Sequence, residues 1–489
     1  IAAKGSYQGV LDMAKLTQDM KPGPAIEAIN EHDHSSELGK QISTGGIEDR
    51  AVTTKKMALQ SVTSAILADG AVGTAQLDAG LAKSLEQNIT AGVNAPAYYE
   101  RDVPFHFYHK TIIASPNRLW VNIGKRGFLL EDQKMLDISM DAAFDSKAEK
   151  WQPEHDYARD DVVYPSETKT GYYYRCVTSG KSSSLQPEFP KTLGQTYNDG
   201  NVVWVCEYDF TVAENRGGRD FYIYACQPAE GVTPILMVSA NSTVPLRYTA
   251  ENSRKIGGFH CECMDVGVPA ADHWLRNWKK GEIIPFSVWD VKHRPSGAPE
   301  GMTWIPGHGW IGIYFLSNSG TETDRKLVTK FEGVIADGSS TPKWNDFDFI
   351  ETLMKQSQSL PINDTLTVGG LGTPTGVGIK GGIDPVTTGG HVNTIGTRIV
   401  SYFGMEDGSG VMWTWARDFF SSNNQYYRTL VSCAWGEGSA CSPHFVSGIP
   451  IGTYRYDLAA RAFTEDCNGN FEVLDIIKER LTSIHGGRL

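Results

Sequence analysis

Apolar residues recur every ten positions between Asp49 and Asp78. Written in tens, the stretch reads DRAVTTKKMA, LQSVTSAILA, DGAVGTAQLD, which sets Val52, Val62 and Val72 in one register and Met57, Leu67 and Leu77 in another. Two large apolar residues per unit cannot bury a core within one chain, and repetition at a fixed period marks a stacked architecture. Identical chains around a common axis solve this, each giving its Val and Met/Leu positions to a shared narrow core. Residues 1–98 are therefore expected to form an attachment segment and fibrous stalk, with a short helix around Leu81, Leu85 and Ile89.

Beyond residue 98 the pattern changes to short apolar or alternating runs between turn signals, the mark of strands. Phe105–Ile113, Leu119–Ile123, Met135–Ile138, Asp220–Cys226 and Ile235–Ala240 read this way, and they predict a β-sandwich over 99–145 plus 209–252. Residues 146–208 read as a separate small β-module inserted into it. Residues 253–489 form a C-terminal α+β region. There, WNDFDFIETLMKQSQSL (344–360) puts Phe347, Ile350, Leu353 and Met354 on one helical stripe. Asn363 to Thr397 is rich in Gly and Thr, lacks apolar period and predicts a long loop. The fold class is mainly β with some α.

Composition narrows the function. With 489 residues the chain suits several domains, and its 51 Gly, 12 Trp and 20 Tyr suit short strands, turns and aromatic contact faces. A net charge of −12 without a long basic run argues against a nucleic-acid partner. No apolar window of about 18 residues exists, so no membrane insertion is expected. The eight cysteines form no pair of C-x-x-C motifs, and buried free thiols are expected of them.

Several stretches resemble known families. His32 and His34 sit at i and i+2, on one face of an extended strand. They resemble the H-x-H pairs that viral fibres place on a trimer axis, where six nitrogens would suit a transition-metal ion as cofactor; two solvated histidines are the alternative. The ten-residue units resemble the stalk repeats of bacteriophage tail fibres. In 146–208 the order of Trp151, Tyr157, Val162–Tyr164, Tyr172–Cys176, Asp199-Gly200 and Trp204 is similar to small carbohydrate-binding modules. Trp151, Tyr157, Tyr172 and Trp204 are the candidate sugar-stacking residues, with core aromatics as the competing use.

Ser253–Cys261, Ile283–Pro295, Gly301-Met302, Trp310–Tyr314 and Gly404–Asp418 together resemble the head of phage tropism-determinant proteins. That resemblance implies a C-type-lectin fold in the version shared with formylglycine-generating enzymes, displaying a receptor-binding surface. Tyr426, Tyr427, Trp435, Glu437, Ser439, His444 and Tyr454 are the candidate contacts, since exposed Tyr, Ser and small polar residues suit adaptable recognition. Trp413 and Trp415 are expected in the core. Oxidase chemistry is not expected, because the sequence around Cys433, Cys441 and Cys467 lacks the family's paired-cysteine phrase. Asp407, Asp418 and His444 have no spacing that supports a nucleophile with its base.

The resemblances imply a virion protein, a homotrimer joined to other tail or baseplate proteins through its N-terminal segment. It would bind a glycan or outer-membrane protein on the host without chemistry. The alternative is a virion-associated glycan hydrolase or deacetylase.

Overall fold

The computed structural model describes residues 98–99 and 105–487, apart from 166–168, 232, 268, 332–335, 339–341, 374–397, 438–440 and 468–470. The repeat at 49–78, the expected helix around Leu85, the candidate ligands His32 and His34, and Ser439 lie outside these residues. The described chain is mostly β with few helices. No described helix is long and apolar enough to cross a membrane.

Leu119–Ile123 and Asp220–Cys226 are strands with the bounds the apolar pattern predicts. Phe105–Ile113 is not one strand. It folds as a hairpin of His106–His109 and Ile112–Ala114, because Lys110-Thr111 form a turn. Asp220–Cys226 is central in a four-stranded sheet, paired with Ile235–Ser239 on one side and Ser253–His260 on the other, with Trp289–Asp290 beyond. A Cβ on Gly258 would lie 2.7 Å from the Trp289 ring and 2.6 Å from the Phe221 carbonyl oxygen, so this crossing needs glycine. Asp290 accepts from the Phe105 amide at 2.7 Å, which ties the start of the described chain to the sheet's edge.

The boundary expected between residues 252 and 253 therefore runs through a sheet. One cluster of buried apolar side chains extends from Phe105 through Phe221, Trp278 and Trp415 to Leu481. The C-terminal helix, Phe471–Ile484, returns to the first strands, where the Arg480 guanidinium lies 4.4 Å from the Tyr108 ring centre. The insert differs. Its five-stranded sheet is built from residues 149–208, and Trp151, Tyr174, Phe189 and Trp204 form a core of their own.

The helix predicted in 344–360 exists as Asp346–Lys355, opened by a reciprocal cap between Asn345 and Asp348. Its buried face is Asp346, Phe349, Thr352 and Leu353, whereas Phe347 and Met354 are exposed. The stripe is rotated because Asp346 is buried as a hydrogen-bond partner, which hydropathy does not register. Residues expected to begin a long loop form a helix, Asn363–Gly369, whose first amide donates to Asp418.

His273 is buried, with Nε2 2.8 Å from the Val400 carbonyl and Nδ1 accepting from the Leu275 amide at 3.0 Å. Burial pushes its pKa down, against the pull of that carbonyl. The unfolded chain then binds more protons than the folded one below the ordinary histidine value near 6.5. The stabilising contribution is complete above that pH and is lost as pH falls through the lowered folded value. Thermal melts from pH 7 to 5 are expected to show a smaller acid-induced drop in His273→Gln than in the native chain; equal drops would contradict the assignment.

Candidate functional site

Trp413–Ser422 and Gln425–Val431 form an antiparallel hairpin that starts in the core and leaves it. The first four residues of the first strand are buried and the last six exposed; the second strand mirrors this. Trp413 and Trp415 are core residues, as the sequence predicts. Asn423 and Asn424 make the turn with φ of 51° and 62°, the left-handed pair a two-residue hairpin requires and asparagine tolerates. Val446–Pro450 adds a third strand along Gln425–Val431.

Each face of the hairpin carries an aromatic pair. On one, Phe420 stacks on Tyr427 with ring centres 5.4 Å apart and lies over Gly448, where a Cβ would meet its ring at 2.5 Å. On the other, Phe419 meets Tyr426 edge-on at 6.3 Å, and the Arg428 guanidinium approaches Phe419 at 5.9 Å. Arg428 Nε bonds the buried Asp346 at 3.1 Å, and the second Asp346 oxygen accepts from the Gly452 amide at 2.7 Å. A buried, hydrogen-bonded ion pair thus pins the root of the hairpin to the first turn of the 346–355 helix. The tip stands free, with Phe419 64% and Tyr426 56% exposed. Exposed aromatic area on a rigid support marks an interaction surface.

The expected contact residues fall into separate groups. Tyr426 is exposed on the tip, and Tyr427 is half-buried beneath Phe420. Trp435 is half-buried and meets the exposed Tyr456 at 5.6 Å. Glu437 is exposed and accepts from Trp413 Nε1 at 3.0 Å, beside Phe445, which packs on Trp413 at 5.5 Å. His444 and Tyr454 are exposed. Free thiols are not what holds this region, because Cys433 and Cys441 are disulfide-bonded, with Cα atoms 5.3 Å apart. Their short separation along the chain allows the bond once the loop folds back. The other six cysteines are free, five of them buried. Sequence reasoning missed Phe419 and Phe420; the Asn-Asn pair between two apolar runs was the signal for a hairpin that would display them.

No hydrolase set assembles from the three residues considered for one. Asp407 is buried, Asp418 holds the start of the 363–369 helix and His444 is exposed.

In the insert the structure corrects the sugar-stacking assignment for three of four residues. Trp151, Tyr157 and Trp204 are buried, and Tyr157 packs edge-on to Trp204 at 4.9 Å. One carboxylate organises them, with Asp199 accepting from Trp151 Nε1 at 2.9 Å, Trp204 Nε1 at 3.0 Å and the Ser183 amide at 2.9 Å. Burial works against the charge, but the bonds from Ser183, Trp204 and Trp151 hold the Asp199 carboxyl below its ordinary range. A domain this small needs its aromatics as core. Tyr172 is half-buried, stacked on Tyr208 at 6.3 Å. Asp199→Ala removes the acceptor of four donors, both indole N–H groups and the amide and hydroxyl of Ser183, at about 1–3 kcal/mol for each one left unpaired. Hydrogen exchange is expected to accelerate across 146–208 while 220–260 stays protected; unchanged protection of the insert would contradict this.

Among the described residues, one group could hold a metal by its donor atoms: Glu262, Cys263 and Glu406, all buried. A cation already lies among them. Arg398 bonds both Glu406 oxygens, Glu262 Oε2 at 3.2 Å and Cys263 Sγ at 2.7 Å. The cluster fits a fixed guanidinium rather than a metal ion.

Known proteins resemble parts of this chain. Residues 192–290 match the family model of the Mtd second domain. That range takes in the last two insert strands, Thr196–Asp199 and Val202–Tyr208, and the central sheet through Asp290. The chain is 30% identical over 243 residues to the tail fiber receptor-binding protein of Bordetella phage BPP-1, covering 45% of this chain and 60% of that protein's length. The solved U1 and P3c variants of the Major Tropism Determinant align with 64% of this chain and 96% of their own, at 19% identity and a TM-score of 0.43. The resemblance to tropism-determinant proteins read from the sequence thus holds at the sequence level.

Proposed function

We propose that this chain is the receptor-binding protein of a bacteriophage tail fibre, which recognises a glycan or outer-membrane protein on the bacterial surface and mediates adsorption without chemistry. The observation that carries the reading is the aromatic tip of the 413–431 hairpin, free at Phe419 and Tyr426 and pinned at its root by Arg428 and Asp346. The match to the Mtd second domain and the likeness to a phage tail fiber receptor-binding protein support it. In this reading residues 253–489 contain a C-type-lectin-like head. The decamer repeat joins three chains, and the N-terminal segment attaches them to the tail, with an axial metal ion at His32 and His34. Three weak sites on one axis gain by avidity when they engage together.

The test is direct. Labelled full-length chain, mixed with a panel of bacterial strains, is expected to bind some of them saturably and to release neither reducing ends nor acetate from their polysaccharides. Binding to no strain, or release of either product, overturns the reading.

A further inference from the structure

Three clefts follow one another along the seam between the insert and the central sheet. The first, about 310 Å³, lies beside Asp145, Arg175, Glu207 and Asn241. A second, about 540 Å³, shares Asp145 and Leu246 with it and adds an apolar wall of Pro228, Met237 and Tyr248. The third, about 390 Å³, shares Lys147 and Arg247 with the second and runs onto the insert beside Glu149 and Asp161. Each volume falls in the range of small-molecule sites. The shared residues make the clefts neighbours in one grooved seam, with the bonded Asp145 and Leu246 between the first two.

The walls of this groove are fixed. The Asp145 carboxylate accepts from the Leu246 amide at 2.7 Å, and Leu246 packs against Ala148, Val162 and Tyr173. Arg247 follows with φ of 67°, a conformation disfavoured for a side chain of that size, and is held there by Nε donating to the Asp160 carbonyl at 3.0 Å. Arg175 is locked between Glu207 and Asp160. A groove held in shape before a ligand arrives costs little ordering on binding.

The geometry points to this seam as a binding site for a neutral oligosaccharide, distinct from the hairpin tip. A pyranose has an apolar C–H face and a rim of vicinal hydroxyls. The Pro228, Met237 and Tyr248 wall suits the first, and the Asn241 amide nitrogen, the Glu207 carboxylate and the Arg247 guanidinium offer donors and an acceptor to the second. Charge selects the class. Four carboxylates, Asp145, Glu149, Asp161 and Glu207, face three cations, Lys147, Arg175 and Arg247, so the groove has no excess positive charge to hold a polyanion. The site does not rest on the tail-fibre reading, because its lining lies wholly within residues 142–252.

The test uses full-length chain, tetrasaccharides of neutral hexoses and N-acetylhexosamines, a uronic-acid tetrasaccharide for comparison, and calorimetric titration. Ala240 lines the first cleft and Ala229 the second, and both are exposed, so Ala240→Trp and Ala229→Trp fill the groove without removing a partner. At least one neutral tetrasaccharide is expected to bind, and each Trp variant to bind it about tenfold or more weakly with an unchanged melting temperature. The Phe419→Ser/Tyr426→Ser variant is expected to bind it as the native chain does, which separates this site from the head. Absence of neutral binding, tighter binding of the uronic-acid tetramer, or full binding by both Trp variants overturns the proposal.

Discussion

Replacing Arg398 with methionine lowers the stability of the main core by about 3–5 kcal/mol, the cost of breaking a buried ion pair from one side. Arg398, Glu262 and Glu406 are each nearly inaccessible to water. Burial opposes charge on the arginine, yet Cys263 and Glu262 hold its pKa above the ordinary value. Burial likewise pushes Glu262 up, and Arg398 opposes that rise. Without the guanidinium, two carboxyls stand close together in a dry interior with one oxygen of Glu262 already lacking a hydrogen-bond partner. The segments they join are distant in sequence, since Glu262 follows the Ser253–His260 strand and Glu406 lies in the loop before Trp413. Chemical denaturation followed by a core signal measures the loss. Adding Glu262→Gln and Glu406→Gln to Arg398→Met is expected to recover part of it, because no buried charge is then left alone. A loss below about 1 kcal/mol would show that the cluster is not a closed ion-pair network.

The largest functional effect is expected at the hairpin tip. Phe419→Ser combined with Tyr426→Ser removes the edge-on aromatic pair from an exposed surface. Aromatic anchors at the centre of an interface cost about 2 kcal/mol or more when truncated, which corresponds to roughly a 30-fold loss of affinity. The fold is expected to be nearly unaffected, because both rings are exposed and the Arg428–Asp346 pair keeps both its partners. Phe420→Ser is a useful contrast. Its ring covers Gly448 and stacks on Tyr427, so it is expected to loosen the third strand as well as the surface.

Much of the fold was legible because apolar alternation survives wherever a strand is half-buried. Leu119–Ile123 and Asp220–Cys226 needed nothing further. What stayed hidden was decided by polar partners far away in sequence. Asp346 is buried because Arg428 and Gly452 bond it, and that rotates the 346–355 helix away from the face its apolar residues suggest. Asn363–Gly369 is a helix with an acceptor from Asp418 at its start, where composition reads as loop. In the insert the aromatic order was readable, but whether a ring faces solvent or core depended on Asp199, whose bonds turn both indoles inward. Of the candidate contact residues, Tyr426, Glu437, His444 and Tyr454 are exposed, whereas Phe419 and Phe420 were hidden because burial along their strand changes midway.

Recognition at the hairpin tip is measured most directly by competition on cells. Labelled native chain is bound to a strain that takes it up, and unlabelled chain is titrated against it as native protein and as Phe419→Ser/Tyr426→Ser. The expected result is that the tip variant needs roughly 30-fold more than native protein to displace the label, at an unchanged melting temperature. Displacement by the tip variant at the native concentration would contradict recognition through the tip.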